Sequence, residues 1–352
     1  MVDVIHFEAL GEEAEHLRSE VHRAVTGGRL PGSFSQVITH QTLQQYTAEN
    51  PSSPLPRLIT VKTHSLIPAW WIDTAPTGGV ITRSAGYDHL EQYLPHLHIA
   101  SLREYCVQAV AQTALKLLLA AAGRLNDYTR CAETFDRKSA PSFMELGADR
   151  RAAVFGVGRI GKAIHDLLCA IGLDVVGVDL REDQLSSLYG PSVRFVSPQE
   201  AIRTCEIIII SMNLTRTPES PFHNVGYFSR DFLQGATRPL TVINVTRGEI
   251  APEEILLEGY DRGEITGIGL DVFSDESGLA TDLAHDGRDQ RFAASRELIR
   301  RALSREANIY VQPHQGFNSD RAARQKAIET VRHLEAWFRN GCQRFDEELP
   351  YY

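Results

Sequence analysis

The chain of 352 residues is 43% hydrophobic and carries a formal net charge of -9, with a sequence pI near 5.8. That length exceeds the roughly 250–300 residues at which one core stops growing, so two domains are expected. The acidic balance and the lack of a basic run exclude a nucleic-acid or anionic-membrane surface and leave a small molecule as the partner.

The N-terminus, MVDVIHFEAL, has early acids and no basic-then-apolar signal, so export is not expected. Residues 2–7 read as a first strand and Glu8 to Val25 as an amphipathic helix ending at Gly27-Gly28. Arg57 to Thr63 is a second strand and Gly79 to Arg83 a third, followed directly by the loop SAGYDH. Between them lies HSLIPAWW, whose Trp70-Trp71 pair reads either as aromatic packing under a loop or as a lid on a substrate site. Cys106 to Ala122 is the most apolar stretch, but Gln108, Gln112 and Lys116 recur every four residues on one stripe. That pattern describes a helix buried in a soluble protein better than a spanning one. Asn126 to Asp149 has mixed polarity and no clean period, and reads as an arm or linker.

Arg151 to Asp179, RAAVFGVGRIGKAIHDLLCAIGLDVVGVD, carries the clearest chemistry. The apolar run Ala152 to Phe155 feeds Gly156-x-Gly158-x-x-Gly161. A helix with Ala163, Ile164, Leu167, Leu168 and Ile171 at 3.6-residue spacing follows, then a β-branched strand that ends in Asp179. Gly156 permits the tight turn, Gly158 lets the backbone approach a diphosphate, and Gly161 brings helix and strand close, so the helix N-terminus can hold the diphosphate. Asp179, 18 residues past the last glycine, suits both adenosine-ribose hydroxyls and repels a 2′-phosphate, which favours NAD over NADP. Gly156, Gly158, Arg159, Ile160, Gly161 and Asp179 are the candidate cofactor-binding residues of this stretch. Arg181, two residues past the acid, tolerates a 2′-phosphate and leaves NADP use open.

Further apolar strands recur at Glu206 to Ser211, Leu240 to Thr246, Gly267 to Phe273 and Asn308 to Gln312. Continuous apolar runs of this kind suit a parallel sheet covered on both faces, so the fold class is α/β. Asn213, Arg247, Asp271 and His314 lie at or after the carboxyl ends of these strands, where open α/β sheets gather ligand groups, on the edge that also holds the glycine turn. Residues 278–306 form a polar, Asp- and Arg-rich insertion, partly helical from Ser295. Asp320 to Asn340 reads as a closing helix, ended by Gly341, that returns to pack on the first domain. The five cysteines (Cys106, Cys131, Cys169, Cys205, Cys342) show no CxxC or metal-like spacing and suit reduced thiols in a cytoplasm, with no metal site.

Seven segments together resemble the NAD-dependent D-2-hydroxyacid dehydrogenases, and in particular their D-lactate dehydrogenase-like branch. They are RSAGYDHLE at 83–91, YCVQAVAQTAL at 105–115, the glycine fingerprint, EIIIISMNLT at 206–215, INVTRGEI at 243–250, GIGLDVFSDE at 267–276 and VQPHQGF at 311–317. The resemblance implies two Rossmann-like or flavodoxin-like α/β domains flanking a cleft, with a cofactor domain (107–317) inserted into a substrate domain (1–106 and 318–352). It implies that Arg247 holds the substrate carboxylate and polarises the reacting carbonyl, that His314 exchanges the proton, and that Glu276 supports His314. Elementary chemistry agrees: a guanidinium fork matches a planar carboxylate, a histidine is readily poised for proton exchange near neutrality, and an adjacent carboxylate favours imidazolium and fixes the ring.

By the same resemblance, backbone amides around Ala85 and Gly86 bind the substrate carboxylate and Tyr105 contacts the substrate. Asp271 lies near the nicotinamide amide, Asn213 and Thr246 line the ribose and ring, and the chain forms a homodimer through its cofactor domains. The implied reaction is hydride transfer between NAD(H) and a 2-oxoacid or D-2-hydroxyacid. Phosphite oxidation on the same scaffold and a non-catalytic NAD-sensing role like that of the corepressors of this fold remain alternatives; Glu276 disfavours the formate type. Gln112 and Pro252 depart from the family's glutamate and aspartate at those places. Lys62 and His64 follow a strand near the expected substrate end, which suggests a second anionic group on the substrate, as in a dicarboxylic or phosphono 2-oxoacid.

Overall fold

Strands of four to six consecutive apolar residues have no wet face, and in this chain they sit inside parallel sheets. The computed structural model describes residues 2–75 and 77–351. It divides into two compact units, Met1–Cys106 with Asn318–Tyr352, and Val107–Phe317.

The first unit carries a five-stranded sheet in the order β2-β1-β3-β4-β5, with β1 Val4–His6, β2 Gln36–Ile38, β3 Leu58–Val61, β4 Gly79–Thr82 and β5 His98–Ser101. Every pairing is parallel. Side chains alternate across the sheet as the pleat requires. Ile5, Ile59, Val61, Val80 and Ile99 join Trp71 on one face, while Val4, Leu58, Ile81 and Ala100 join the helices Gly11–Thr26 and Ala322–Arg339 on the other, through Leu17, Val21, Val331, Leu334 and Trp337. The closing helix of the chain therefore belongs to the first unit. The tryptophan pair sits on a short helix, Ala69–Thr74, that parts the two rings. Trp71 is 1% exposed and its indole N–H donates to the Pro56 carbonyl at 3.0 Å, whereas Trp70 is 48% exposed.

The second unit carries a seven-stranded sheet in the order β12-β11-β10-β9-β6-β7-β8. Its strands are β6 Arg151–Phe155, β7 Asp174–Val178, β8 Arg194–Phe195, β9 Ile207–Ile210, β10 Leu240–Asn244, β11 Ile265–Leu270 and β12 Ile309–Val311. The apolar stretch after Cys106 is a helix, Val107–Ala122, that buries Val110, Ala114, Leu117, Leu118 and Ala121. Among the described residues no helix is long and apolar enough to cross a membrane.

Two segments carry more regular structure than their composition announces. The stretch after residue 124 opens with a helix, Leu125–Cys131, fixed by Asn126, whose buried amide donates to the carbonyls of Ala307 and Ile309 beside β12. Long-range amide bonds of this kind leave no periodic trace. The polar segment 278–306 holds two helices, Glu276–Ala284 and Ala293–Ser304. They are tied by an Asp282–Arg296 ion pair and by buried Phe292 and Leu298, so its Asp- and Arg-rich composition reflects ion pairing.

Candidate active site

The glycine turn joins β6 to the helix Arg159–Ala170. Gly156 has φ +87°, and a side chain there would stand 2.7 Å from the Met212 backbone just past β9. At Gly161 a Cβ would overlap the Gly156 carbonyl oxygen. These two glycines are demanded by the protein's own packing. Gly158 is not: the nearest atom to a Cβ there is an Arg181 terminal nitrogen at 4.0 Å. The space in front of Gly158 lies at the N-terminus of the helix, whose first amides receive no side-chain cap and stay available to an anion.

At the end of β7, Asp179 accepts the Val157 amide on Oδ2 at 2.8 Å and the Arg181 amide on Oδ1 at 2.9 Å, with Arg181 Nε 3.3 Å from the same Oδ1. Tight turn, open cradle, uncapped helix end and neighbouring acid together fit the diphosphate and ribose of a dinucleotide.

Three further strand ends of the second unit meet through hydrogen bonds. After β10, the fully buried Asn244 donates to the Arg247 carbonyl at 2.9 Å and accepts the Thr246 amide at 3.1 Å, which shapes the turn presenting Arg247. The Arg247 guanidinium also donates to the Thr246 carbonyl at 2.8 Å. After β11, Glu276 accepts the Phe273 amide on Oε1 at 3.2 Å and faces His314 Nδ1 with Oε2 at 2.8 Å. Since a carboxylate only accepts, this contact places the Nδ1 proton on the ring and leaves Nε2 outward. Among the described residues Nε2 makes no hydrogen bond, and the imidazole is 32% exposed.

His314 adopts φ +50°, the left-handed region that costs a non-glycine residue energy and that surrounding structure must enforce. The His314 amide donates to the carbonyls of Asp271 at 2.6 Å and Gln312 at 3.1 Å. The Asp271 carboxylate, 1% exposed, accepts the amides of Gln315 and Gly316 and the Gln312 side chain. A second buried carboxylate, Glu253, accepts the Ser274 amide at 2.6 Å, and burial pushes its carboxyl up from the ordinary value. Asn213 follows β9, and its carbonyl accepts the Asn224 side chain at 2.7 Å.

In the first unit, the loop after β4 holds Ala85 and Gly86 half-buried, and among the described residues their amides donate no hydrogen bond. Two donors left in a half-buried loop suit a carboxylate. Arg83, fully buried, spends its guanidinium on Glu13 at 2.8 Å, on Thr60 and on the Phe7 carbonyl. Lys62 Nζ pairs with the other Glu13 oxygen at 2.5 Å. Lys326 stands 4.8 Å from the Tyr105 ring centroid, and burial, against the pull of Glu13, brings its ammonium down to about 8. Burial likewise pushes the Tyr105 phenol up. Glu13, Glu253 and Lys326 belong to no motif, and contacts between residues far apart in the sequence identify them.

A glycine-turn cradle, a histidine–carboxylate pair and an arginine, all at the carboxyl ends of one parallel sheet, define a dinucleotide-binding α/β protein equipped for proton transfer. Residues 115–316 match the family model described as D-isomer specific 2-hydroxyacid dehydrogenase, NAD binding domain. The chain belongs to the D-isomer specific 2-hydroxyacid dehydrogenase family.

Among its relatives, a D-lactate dehydrogenase of Treponema pallidum is 28% identical over 203 residues, covering 55% of this chain and 57% of that protein. An aromatic 2-oxoacid reductase of Clostridium sporogenes is 26% identical over 183 residues, covering 52% and 51%. The chain thus matches a little over half the length of these relatives. The structure of the D-lactate dehydrogenase from Aquifex aeolicus, complexed with NAD and lactic acid, aligns with a TM-score of 0.75 at 19% identity over 96% of both chains. D-2-hydroxyisocaproate dehydrogenase aligns with 0.73 at 18% identity over 96% and 97%. These likenesses show the fold, two parallel-sheet α/β units.

Proposed function

We propose that this protein is an NAD-dependent D-2-hydroxyacid dehydrogenase of the D-lactate dehydrogenase-like branch, reducing a 2-oxoacid to the D-2-hydroxyacid. The observation that carries the reading is the 2.8 Å contact between His314 Nδ1 and Glu276, which leaves Nε2 for a proton, on the same sheet edge as Arg247 and the glycine turn.

Gly156, Gly158, Arg159, Ile160 and Gly161 hold the diphosphate through backbone and helix end, and Asp179 accepts the adenosine ribose. Asn213, Thr246 and Asp271 take the nicotinamide side. When bound, NAD(H) supplies or accepts the hydride at the carbonyl carbon. Arg247 binds the substrate carboxylate and stabilises the negative charge that builds on the carbonyl oxygen. His314 gives its Nε2 proton to that oxygen during reduction and takes it back during oxidation, while Glu276 fixes the ring through Nδ1.

Ala85 and Gly86 amides assist with the carboxylate, and Tyr105 lies against the substrate. The first unit is on this reading the substrate-binding domain and the second the cofactor domain. Lys62 is a specificity residue only for a substrate whose second anionic group displaces the Glu13 carboxylate from it. A cytoplasmic location accords with five free cysteines, and a homodimer is what the family resemblance implies. Light scattering on the purified protein tests the dimer.

The activity test follows NADH absorbance with a panel of 2-oxoacids of varied side chain, dicarboxylic and phosphono acids included, with phosphite tried in the NAD direction. Steady turnover to the D-hydroxyacid is expected. Tight NADH binding without turnover on any panel member would favour a sensor and end the enzymatic reading.

A further inference from the structure

Strand β5 is an edge of the first unit's sheet, and an edge strand turns one row of backbone groups away from its neighbour. The amides of His98 and Leu102 point inward to the carbonyls of Gly78 and Thr82, so the backbone groups of Ile99 and Ser101 face out. Segment 345–351, which follows the closing helix, meets them. Leu349 donates its amide to the Ile99 carbonyl at 2.9 Å, and the Tyr351 phenol oxygen accepts the Ser101 amide at 2.8 Å. Two acids of the same segment add to the attachment: Glu348 faces His98 Nδ1 at 3.0 Å and Glu347 pairs with Arg103 at 2.9 Å.

The Tyr351 ring extends this attachment to a loop of the candidate site. Its centroid lies 3.9 Å from the Arg103 guanidinium carbon, and it meets the Tyr87 ring edge to face, with centroids 5.9 Å apart and planes at 82°. Tyr87 follows Gly86 directly, is 9% exposed and packs with Leu90, Leu97 and Leu349. On the inner side the loop is tied by Ser84, whose hydroxyl donates to the Gly86 carbonyl at 2.8 Å and whose carbonyl accepts the Leu102 amide at 3.1 Å. On the outer side the Tyr351 ring braces it.

Two backbone donors stabilise an anion well only if both already point at it, and a tyrosine is a stiff brace because it has few rotatable bonds. We propose that Tyr351 is a positioning residue for the 2-oxoacid: packed on Tyr87, it holds loop 84–87 in the shape that presents the Ala85 and Gly86 amides to the substrate carboxylate. The inference rests on the reading of those two amides as carboxylate donors, and the test separates the two.

The 2-oxoacid of the panel that turns over fastest is assayed at saturating NADH. Binding of oxamate, an unreactive pyruvate isostere, to the NADH complex and amide exchange read by mass spectrometry are measured beside it. Tyr351→Ala should raise KM and the oxamate dissociation constant about three- to tenfold, the scale of a lost aromatic pair. Its kcat and NADH dissociation constant should stay within about twofold of wild type, since neither the reacting groups nor the nucleotide cradle is touched. Amides of 84–90 should exchange faster in this variant while those of 151–161 keep wild-type rates, a local effect that a general loss of stability would not give. Tyr351→Phe keeps the ring on Tyr87, drops the acceptor for Ser101, and should retain the wild-type KM.

Should Tyr351→Ala melt too early to assay, Tyr351→Leu fills much of the volume without the ring and is read by the same criteria. Wild-type KM and oxamate binding in the ring-deleted variant, or equal losses in it and in Tyr351→Phe, overturns the Tyr351 proposal alone. A wild-type protein that binds neither a 2-oxoacid nor oxamate overturns the carboxylate reading and this proposal with it.

Discussion

Both carboxylate oxygens of Asp271 accept the amide of Gly316, each at 3.0 Å, and through this bond a residue at the end of β11 holds the loop that carries His314 in its left-handed conformation. Asp271→Asn puts an NH2 group where one of those oxygens accepts. The loop should shift, and a shift of about 1 Å in a reacting group is enough for a loss of about 100-fold in kcat. Wild-type kcat in Asp271→Asn, measured under saturating NADH, would show that the loop does not depend on this carboxylate.

His314→Gln removes the proton carrier and leaves the nucleotide cradle untouched. The expected loss in kcat is about 10²- to 10⁴-fold, with NADH still bound in a fluorescence titration. Glu276→Gln presents a competing donor to Nδ1 and releases the ring, and should lose activity in the same direction. Equal turnover in wild type and His314→Gln would remove His314 from the reaction.

Gly158 and Gly161 separate a functional glycine from a packing one. Gly158→Ala meets nothing in the protein closer than 4.0 Å and should melt with the wild type while NADH affinity falls, because the methyl group occupies the diphosphate's approach. Gly161→Ala overlaps the Gly156 carbonyl and should lower stability by about 1–3 kcal/mol, the usual range for overpacking. Calorimetry and titration on the two variants check both; a destabilised Gly158→Ala with intact NADH binding would reverse the assignment.

Glu253 is a buried carboxyl raised by desolvation, so the protonated form is the one the fold prefers. Its contribution is present below the ordinary value of 4.5 and is lost as pH rises through the folded value. Glu253→Gln keeps an acceptor for the Ser274 amide without the charge and should be at least as stable as wild type at pH 7. Glu253→Ala strands that amide and should cost about 1–3 kcal/mol. Urea denaturation of the two variants measures the difference; equal losses in both would mean that the ionised charge, and not the acceptor, holds the turn.

Among the bases of the first unit whose folded values are lowered are the buried His6 and Lys326 and the partly buried His333. His6, fully buried with Nδ1 2.9 Å from Thr60 Oγ1, is held well below 6.5 by burial and by Arg83. The unfolded chain therefore takes a proton that the folded one refuses, and stability falls as pH drops below 6.5. Lys326 follows the same sign higher up: between about 8 and 10.5 only the unfolded chain stays protonated, so stability rises across that window by an amount on the order of 3 kcal/mol. Melting curves against pH should show the alkaline slope disappear in Lys326→Met and the acid slope shrink in His6→Gln, with His333 contributing the rest in the same direction; an acid slope unchanged in His6→Gln would mean that His6 does not contribute to it.

Strands such as Ile207–Ile210 are legible in the chain because every residue is buried, and an unbroken apolar run can lie only inside a covered sheet. Gln36–Ile38 is not legible: an edge strand of three half-buried residues, one of them glutamine, earns its place by pairing with Val4–His6. The helix Glu276–Ala284 escaped composition, whereas the helix Ala293–Ser304 was legible from Ser295; ion pairs, rather than an apolar stripe, hold much of the surface of this segment.

Within the site the same division holds. The sequence by itself determined the glycine turn, the acid after the second strand and the α/β class, since these rest on backbone conformation and periodicity within some 30 residues. Only the tertiary structure decided that Lys62 is already paired with Glu13 and that Glu276 meets His314 across 38 residues. Such contacts depend on sheet order, which brings the ends of β10, β11 and β12 side by side, and no local pattern encodes the distance between residues that the chain keeps far apart.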